Sequence, residues 1–188
     1  MIMDDFSLTL RLRQSSIKII HDHWLKLLLN PEGFIMNHLK FRFLENFTKE
    51  EREMLSLKRK SDWASGFDLA SSSRQDIVIK PNERVLVPTS IAISLVPGLE
   101  AQVRSRSGLS LKNGIVVLNS PGTIDADYRG EIKVITANFS NEPFTVTFGM
   151  RIAQMVIAPV TICEAMMVEK LDESKRGAQG FGSTGLHG

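Results

Sequence analysis

Residues 119–129 gather an amide, two carboxylates, a phenol and a guanidinium in Asn119, Asp125, Asp127, Tyr128 and Arg129. An apolar run at 114–118, a Pro121-Gly122 turn and an alternating run at 132–139 make this stretch the bend of a β-hairpin. Its polar groups suit either a ligand at the hairpin tip or a solvated turn, and the segment alone does not separate the two. Upstream, Arg104-Ser105-Arg106-Ser107-Gly108-Leu109 offers guanidinium, hydroxyl and glycine N–H groups suited to several phosphate oxygens. It lacks the Gly-Lys-Ser/Thr ending of a Walker loop, which excludes a P-loop fold.

Three further segments carry candidate chemistry. Asp68, in Ser65-Gly66-Phe67-Asp68-Leu69, reads locally as a structural carboxylate bonding backbone amides. In Arg151-Ile152-Ala153-Gln154-Met155, strand alternation puts Gln154 with Ile152 on a buried face, where the amide must find a partner. The tail 170–188 holds five glycines. Such composition fits a disordered terminus. The Arg, Phe, Ser and Thr among the glycines instead suit an arm that wraps a phosphate and covers a base.

The histidines, His21, His23, His38 and His187, lie near the termini and Cys163 is the single cysteine, so neither a zinc constellation nor a Ser-His-Asp triad can be assembled from the central strands. An enzymatic base would be a carboxylate, and a metal would be Mg2+ held through phosphates. Cys163 lies in an apolar run and is expected to be a core thiol, with no intrachain disulfide.

The elements that must position these groups are mostly strands. Residues 39–43 alternate as a first strand, and Thr48-Lys49-Glu50-Glu51 has capping-box spacing for a short helix through Leu55, followed by the basic linker 58–60. Beyond Asp68 the pattern predicts strands at 77–79, 84–87, 91–95, 99–103, 115–118, 131–138, 144–148, 151–157 and 164–168, broken at Pro, Gly and Asn clusters. Many strands without a long helix between them indicate a sandwich, jelly roll or barrel.

Residues 1–35 read as a short amphipathic helix: a helix packed on the domain, a targeting presequence, or a dispensable extension before Met36, the last being favoured. The net charge of +2 provides no field for nucleic acid or anionic lipid. No apolar stretch approaches the roughly twenty residues of a membrane span, so a soluble protein is expected. A cytoplasmic location follows, with organellar targeting by residues 1–35 left open.

In their order, residues 65–69, 104–109, 114–131, 151–155 and 176–185 resemble the five motifs of the trimeric deoxyuridine triphosphatase (dUTPase) family. The third and fifth match most specifically, and the likeness spans about Leu39 to Gly185. Ser105 stands where that family usually has proline, Met150 where an acidic residue is usual, and 50–63 is atypical.

The resemblance implies an all-β, jelly-roll-like β-clip subunit with a short helix and a flexible Gly-rich C-terminal arm. It divides the chain into an extension 1–35, a β domain 36–172 and a lid arm 173–188. It implies a homotrimer with active sites at subunit interfaces, Mg2+ carried on the triphosphate, and hydrolysis of dUTP to dUMP and pyrophosphate. That reaction supplies thymidylate synthesis and keeps uracil out of DNA.

By motif position Asp125 would activate the attacking water, Tyr128 would stack under the deoxyribose, and Asn119 with the hairpin residues Thr123 and Ile124 would read uracil. Arg106, Ser107, Gly108, Gln154 and Arg176 would hold phosphates or ordered water around them. Ser183 and Thr184 would join Arg176 on the γ-phosphate, Phe181 with Gly182 would cover the uracil, and Asp68 would support the site from behind. Asp127, facing the other way on an extended chain, reads as structural.

Refusing the C5 methyl of dTTP would need a tight hairpin, because a methyl group alone changes binding by only about 1–3 kcal/mol. Two alternatives are a dCTP deaminase, or bifunctional deaminase/dUTPase, of the same fold and a catalytically silent binding protein. The Ala126-Asp127-Tyr128 sequence and the intact last motif favour the hydrolase.

Overall fold

The computed structural model describes residues 39–178. The chain divides into compact units between Lys40 and Phe41, and the architecture below is that of the second. The expectations for residues 1–35 lie outside the described residues.

Among the described residues, eleven strands and two short helices make up the fold. In chain order they are β1 (Lys40–Phe43), α1 (Lys49–Leu55), β2 (Gly66–Ala70), β3 (Ile77–Ile79), β4 (Arg84–Val87), β5 (Ile91–Ser94) and β6 (Leu99–Arg104). There follow α2 (Ser107–Asn113), β7 (Ile115–Val117), β8 (Gly122–Ile124), β9 (Val134–Asn138), β10 (Phe144–Val146) and β11 (Arg151–Pro159). The fold is all-β, as the strand pattern indicates, and jelly-roll-like, as the family resemblance implies.

A four-stranded sheet runs β2-β11-β6-β8 and a three-stranded sheet β4-β9-β7, while β1 with β5 and β3 with β10 form two further pairs. Every register given for the two larger sheets and for the β3–β10 pair is antiparallel. The core draws on Leu69, Ala101, Val103, Ala153 and Met155 of the larger sheet and on Val87, Val117, Val134 and Ala137 of the smaller.

The hairpin expected around residues 119–131 exists, since Ile115 pairs with Asn138 and Val117 with Thr136. Its bend is more elaborate than a turn. It contains β8, which leaves the β7–β9 sheet and pairs with β6 of the other, Gly122 opposite Val103 and Ile124 opposite Ala101. The residues of the bend are thereby held from both sheets.

The capping box at α1 is present. The Thr48 hydroxyl accepts the Glu51 N–H at 3.2 Å, and the Glu51 carboxylate accepts the Thr48 N–H at 2.9 Å. Glu51 also binds Arg74. The hydrogen bond from that guanidinium, together with the Thr48 N–H, holds the Glu51 carboxyl below its ordinary value. Arg74 in turn lies over the rings of Phe47 and Phe148, at 5.5 and 5.4 Å from their centroids, which fastens α1 to the aromatic end of the core.

Several expectations need correction. Residues 164–168 form no strand; they are exposed and without regular structure, because no neighbouring strand in the described chain offers them a ladder. Cys163 is exposed instead of a core thiol, since its apolar run continues past the end of β11 over no underlying layer. The strand expected from Glu131 begins at Val134, and residues 131–132 are tied to the segment 89–91 instead. A second helix, α2, occupies residues to which the sequence pattern assigned no element. It ends where Gly114 adopts φ 64°, and a side chain at Gly114 would meet the Ser140 backbone N at 2.8 Å.

Candidate active site

The candidate residues fall into two groups, each built by a different part of the large sheet. The first lies where β2, β11 and β6 run side by side: Gln154 is opposite Asp68 on one edge and Arg104 on the other. That register brings the first, second and fourth motif segments to one end of the sheet.

Asp68 does not cap backbone amides as its local sequence suggests. Its carboxylate bridges two guanidiniums, with Arg106 Nε at 3.3 Å from Oδ1 and Arg151 Nη1 at 3.0 Å from Oδ2. The three-dimensional placement of two arginines, both distant in sequence, overrides the local preference. Arg106 Nη1 also donates to the Arg151 carbonyl at 2.9 Å. These two contacts fix the plane of the Arg106 guanidinium, whose remaining N–H donors can meet an anion.

Gln154 finds the partner that its position demands, donating from Nε2 to the Ser105 carbonyl at 2.9 Å. Strict alternation fails just before it, because the register shifts between Arg151 and Ala153 and both Ile152 and Ala153 are buried. Ser105 ties this group to the hairpin root. Its hydroxyl accepts the Val117 N–H at 2.9 Å, and its own N–H donates to the Ser120 hydroxyl at 3.4 Å. Ser107 and Gly108 begin α2, where first-turn N–H groups have no intrahelical carbonyl.

The second group lies on the bend. Tyr128 N–H donates to the Asp125 carbonyl at 3.2 Å, closing a turn that sets the carboxylate and the phenol on one cavity of about 440 Å³. Thr123 and Ile124 line the same cavity with Leu86, Glu131, Lys133 and Ile135. The Tyr128 ring lies against Gly130, and its hydroxyl donates to the Glu131 carbonyl at 3.0 Å. A side chain at Gly130 would collide with the phenol, its Cβ falling 2.6 Å from Tyr128 Cζ.

Asn119 is not among the cavity's lining residues. Its amide lies over Gly122, 2.9 Å from where a Cβ would stand, at the root of the bend. Asp125 and Asp127 are both exposed. Arg176 is exposed, while Phe181, Gly182, Ser183 and Thr184 lie outside the described residues.

Within the chain the two groups lie at different points along the large sheet. Ile124, next to Asp125, is opposite Ala101, whereas the arginine segment leaves β6 at Arg104; three residues of extended chain separate those points by about 10 Å. Arg151, Glu131, Lys133, Leu86 and Ile135 were not singled out from the sequence as site residues. Leu86 and Ile135 face each other across β4 and β9, so only that register brings them to the cavity. A carboxylate between Gly130 and the apolar Ile132 was the one local sign of Glu131.

The dUTPase family model matches residues 52–185. The chain belongs to the dUTPase family. It is 58% identical over 125 residues to a deoxyuridine 5'-triphosphate nucleotidohydrolase of Ehrlichia canis (strain Jake), covering 65% of this chain and 82% of that one. Against a protein of the same description from Nautilia profundicola the identity is 57% over 122 residues, with 65% and 84% covered. Among solved structures, a mutant of the Staphylococcus bacteriophage 80alpha dUTPase with dUpNHpp superposes with a TM-score of 0.69 at 27% identity, covering 80% of this chain and 100% of that one. No described helix is long and apolar enough to cross a membrane.

Proposed function

We propose that the chain hydrolyses dUTP to dUMP and pyrophosphate, and that the observation carrying this reading is the Asp125–Tyr128 turn opening both side chains onto one cavity. Asp125 accepts a proton from the attacking water. An aligned carboxylate contributes about 10²–10⁴-fold, the remainder coming from alignment and charge stabilisation. Tyr128, braced on Gly130, carries the deoxyribose on its ring, so that a 2′-hydroxyl has no room. Asn119, Thr123 and Ile124 meet the uracil.

The triphosphate, with about four negative charges, needs cations aimed at it. Arg106 is held for that task by Asp68 and by the Arg151 carbonyl. Ser107 and Gly108 add hydroxyl and N–H donors, and Gln154 fixes the segment through Ser105. Arg176, Ser183 and Thr184 complete the γ-phosphate contacts from the arm, where Phe181 and Gly182 close over the base. Among the described residues no three His, Cys, Asp or Glu side chains gather as a metal site. Mg2+ would be carried on the triphosphate that Arg106, Ser107 and Gly108 hold, where it would offset phosphate charge.

The assembly proposed for the chain is a homotrimer with sites at the subunit interfaces, as in the family that the motifs resemble. In the cytoplasm such an enzyme supplies dUMP for thymidylate synthesis and keeps uracil out of DNA. A panel of dUTP, dCTP, dTTP and UTP with product identification tests the reading. Release of dUMP and pyrophosphate from dUTP alone is expected, and sustained ammonia release from dCTP would overturn it.

A further inference from the structure

The segment that ends the bend is fastened to a distant turn by one of its side chains and by its backbone. Glu131 Oε1 accepts the N–H groups of Ser90 at 2.9 Å and Thr89 at 3.2 Å, and its Oε2 lies 3.4 Å from Lys133 Nζ. Thr89 and Ser90 are buried, and Ser90 has the left-handed φ of 53°. That conformation turns two consecutive amides toward one point, where they need an acceptor.

The next residue is stitched to the same place. The Thr89 hydroxyl donates to the Ile132 carbonyl at 2.5 Å, and the Ile132 N–H to the Ile91 carbonyl at 2.8 Å. The Ser90 hydroxyl is itself held by Glu45 and Ser72. Glu131 thus docks on a buried, hydrogen-bonded platform, with its side chain 19% exposed.

The carbonyl of this clamped residue accepts the Tyr128 hydroxyl. A continuous chain of contacts therefore runs from the Thr89–Ser90 amides, through the Glu131 carboxylate and backbone, to the phenol that lines the cavity. We propose that Glu131 is a positioning residue that sets the height of the Tyr128 ring and so sets discrimination between 2′-deoxyribose and ribose nucleotides. The inference rests on the proposed function, in which the sugar lies on Tyr128.

A carboxylate suits the task because it accepts two amides from one oxygen and still meets Lys133 with the other. An amide oxygen can accept the same two N–H groups, whereas a methyl cannot. Without the clamp the peptide group that carries this carbonyl is held only through Ile132, so the carbonyl tilts, the phenol follows, and space opens for a 2′-hydroxyl. General loss of folded enzyme lowers turnover of both substrates alike, while a moved ring changes their ratio.

The test compares kcat/KM for dUTP and UTP in the full-length wild type, Glu131→Gln and Glu131→Ala. Glu131→Ala is expected to lower the value for dUTP about 10- to 100-fold, the scale of an ångström's misplacement, and to narrow the dUTP-to-UTP ratio at least tenfold. Glu131→Gln is expected to stay within about threefold of the wild-type ratio, because its oxygen still binds both amides. A wild-type ratio in Glu131→Ala, or an equal loss in Glu131→Gln, overturns the inference.

Should Glu131→Ala fail to fold, Tyr128→Phe cuts the same chain at its other end, and a wild-type ratio there overturns it equally. A wild type inert toward dUTP would bring down the proposed function itself. A selective wild type whose ratio the substitutions leave unmoved brings down the role of Glu131 alone.

Discussion

Replacing Asp68 with asparagine separates the two things this carboxylate does for Arg106. The side chain is 17% exposed, and its partners Arg106 and Arg151 are 28% and 44% exposed. Exposed pairs contribute about 0.2–1 kcal/mol each, whereas breaking a buried one costs about 3–5 kcal/mol. Two half-screened pairs lie between these limits, so Asp68→Asn should cost about 1–3 kcal/mol of stability.

The effect on substrate has the opposite electrostatic sign. Two guanidiniums and one carboxylate sum to +1; without the carboxylate charge they sum to +2, which attracts a triphosphate more strongly at low salt. What is lost is the aim of the Arg106 fork, and misplacement by about an ångström can cost about 10²-fold in turnover. The expected signature is a kcat lowered about 10- to 100-fold with KM unchanged or lower, read by pyrophosphate release at two salt concentrations alongside thermal unfolding. A raised KM with unchanged kcat would refute the reasoning, since Asp68 would then be acting on binding alone.

Asp125→Asn should retain binding of a non-hydrolysable dUTP analogue while turnover falls about 10²–10⁴-fold, measured by calorimetry and steady-state kinetics; near-normal turnover would remove Asp125 from its role. Gly130→Ala forces a methyl against the Tyr128 ring. Overpacking of that kind costs about 1–3 kcal/mol, so a lower unfolding temperature together with a higher KM for dUTP is expected. Glu51 ionises more readily in the folded chain than in the unfolded one, so its pairing with Arg74 stabilises above the ordinary glutamate value of 4.5 and is lost as pH falls through the lowered folded value. The unfolding temperature of Glu51→Gln should accordingly fall below wild type at neutral pH and converge with it in acid; a gap that persists in acid would locate the effect elsewhere.

What the sequence made legible was local. The Thr48 to Glu51 capping box lies within one helical turn, and α1 runs through Leu55 as expected. Strands with a two-residue period between Pro, Gly or Asn breaks were also readable, as at Ile77–Ile79 and Arg84–Val87. What escaped depends on distant partners. Gly122–Ile124 resembles the tail of a Pro-Gly turn and becomes a strand only because β6 lies beside it. α2 contains Ser107 and Gly108, weak helix formers, and packs against β7. The apolar run at 165–168 is genuine in sequence but has no ladder to join in the described chain.

The site follows the same division. Residue types picked out Asp125, Tyr128 and Arg106 as groups with a common chemistry, yet their assignment to one place came from resemblance, and the chain alone keeps them on two stations of a sheet. The residues that hold these groups were the ones missed. Arg151 is 83 positions from Asp68, and Glu131 is 41 positions from Ser90, so neither pairing leaves a periodicity or spacing to read. Groups that meet substrate cluster in short motifs because they share a loop. Groups that aim them sit wherever the register of two sheets happens to bring a partner, and their roles become visible only once that register is known.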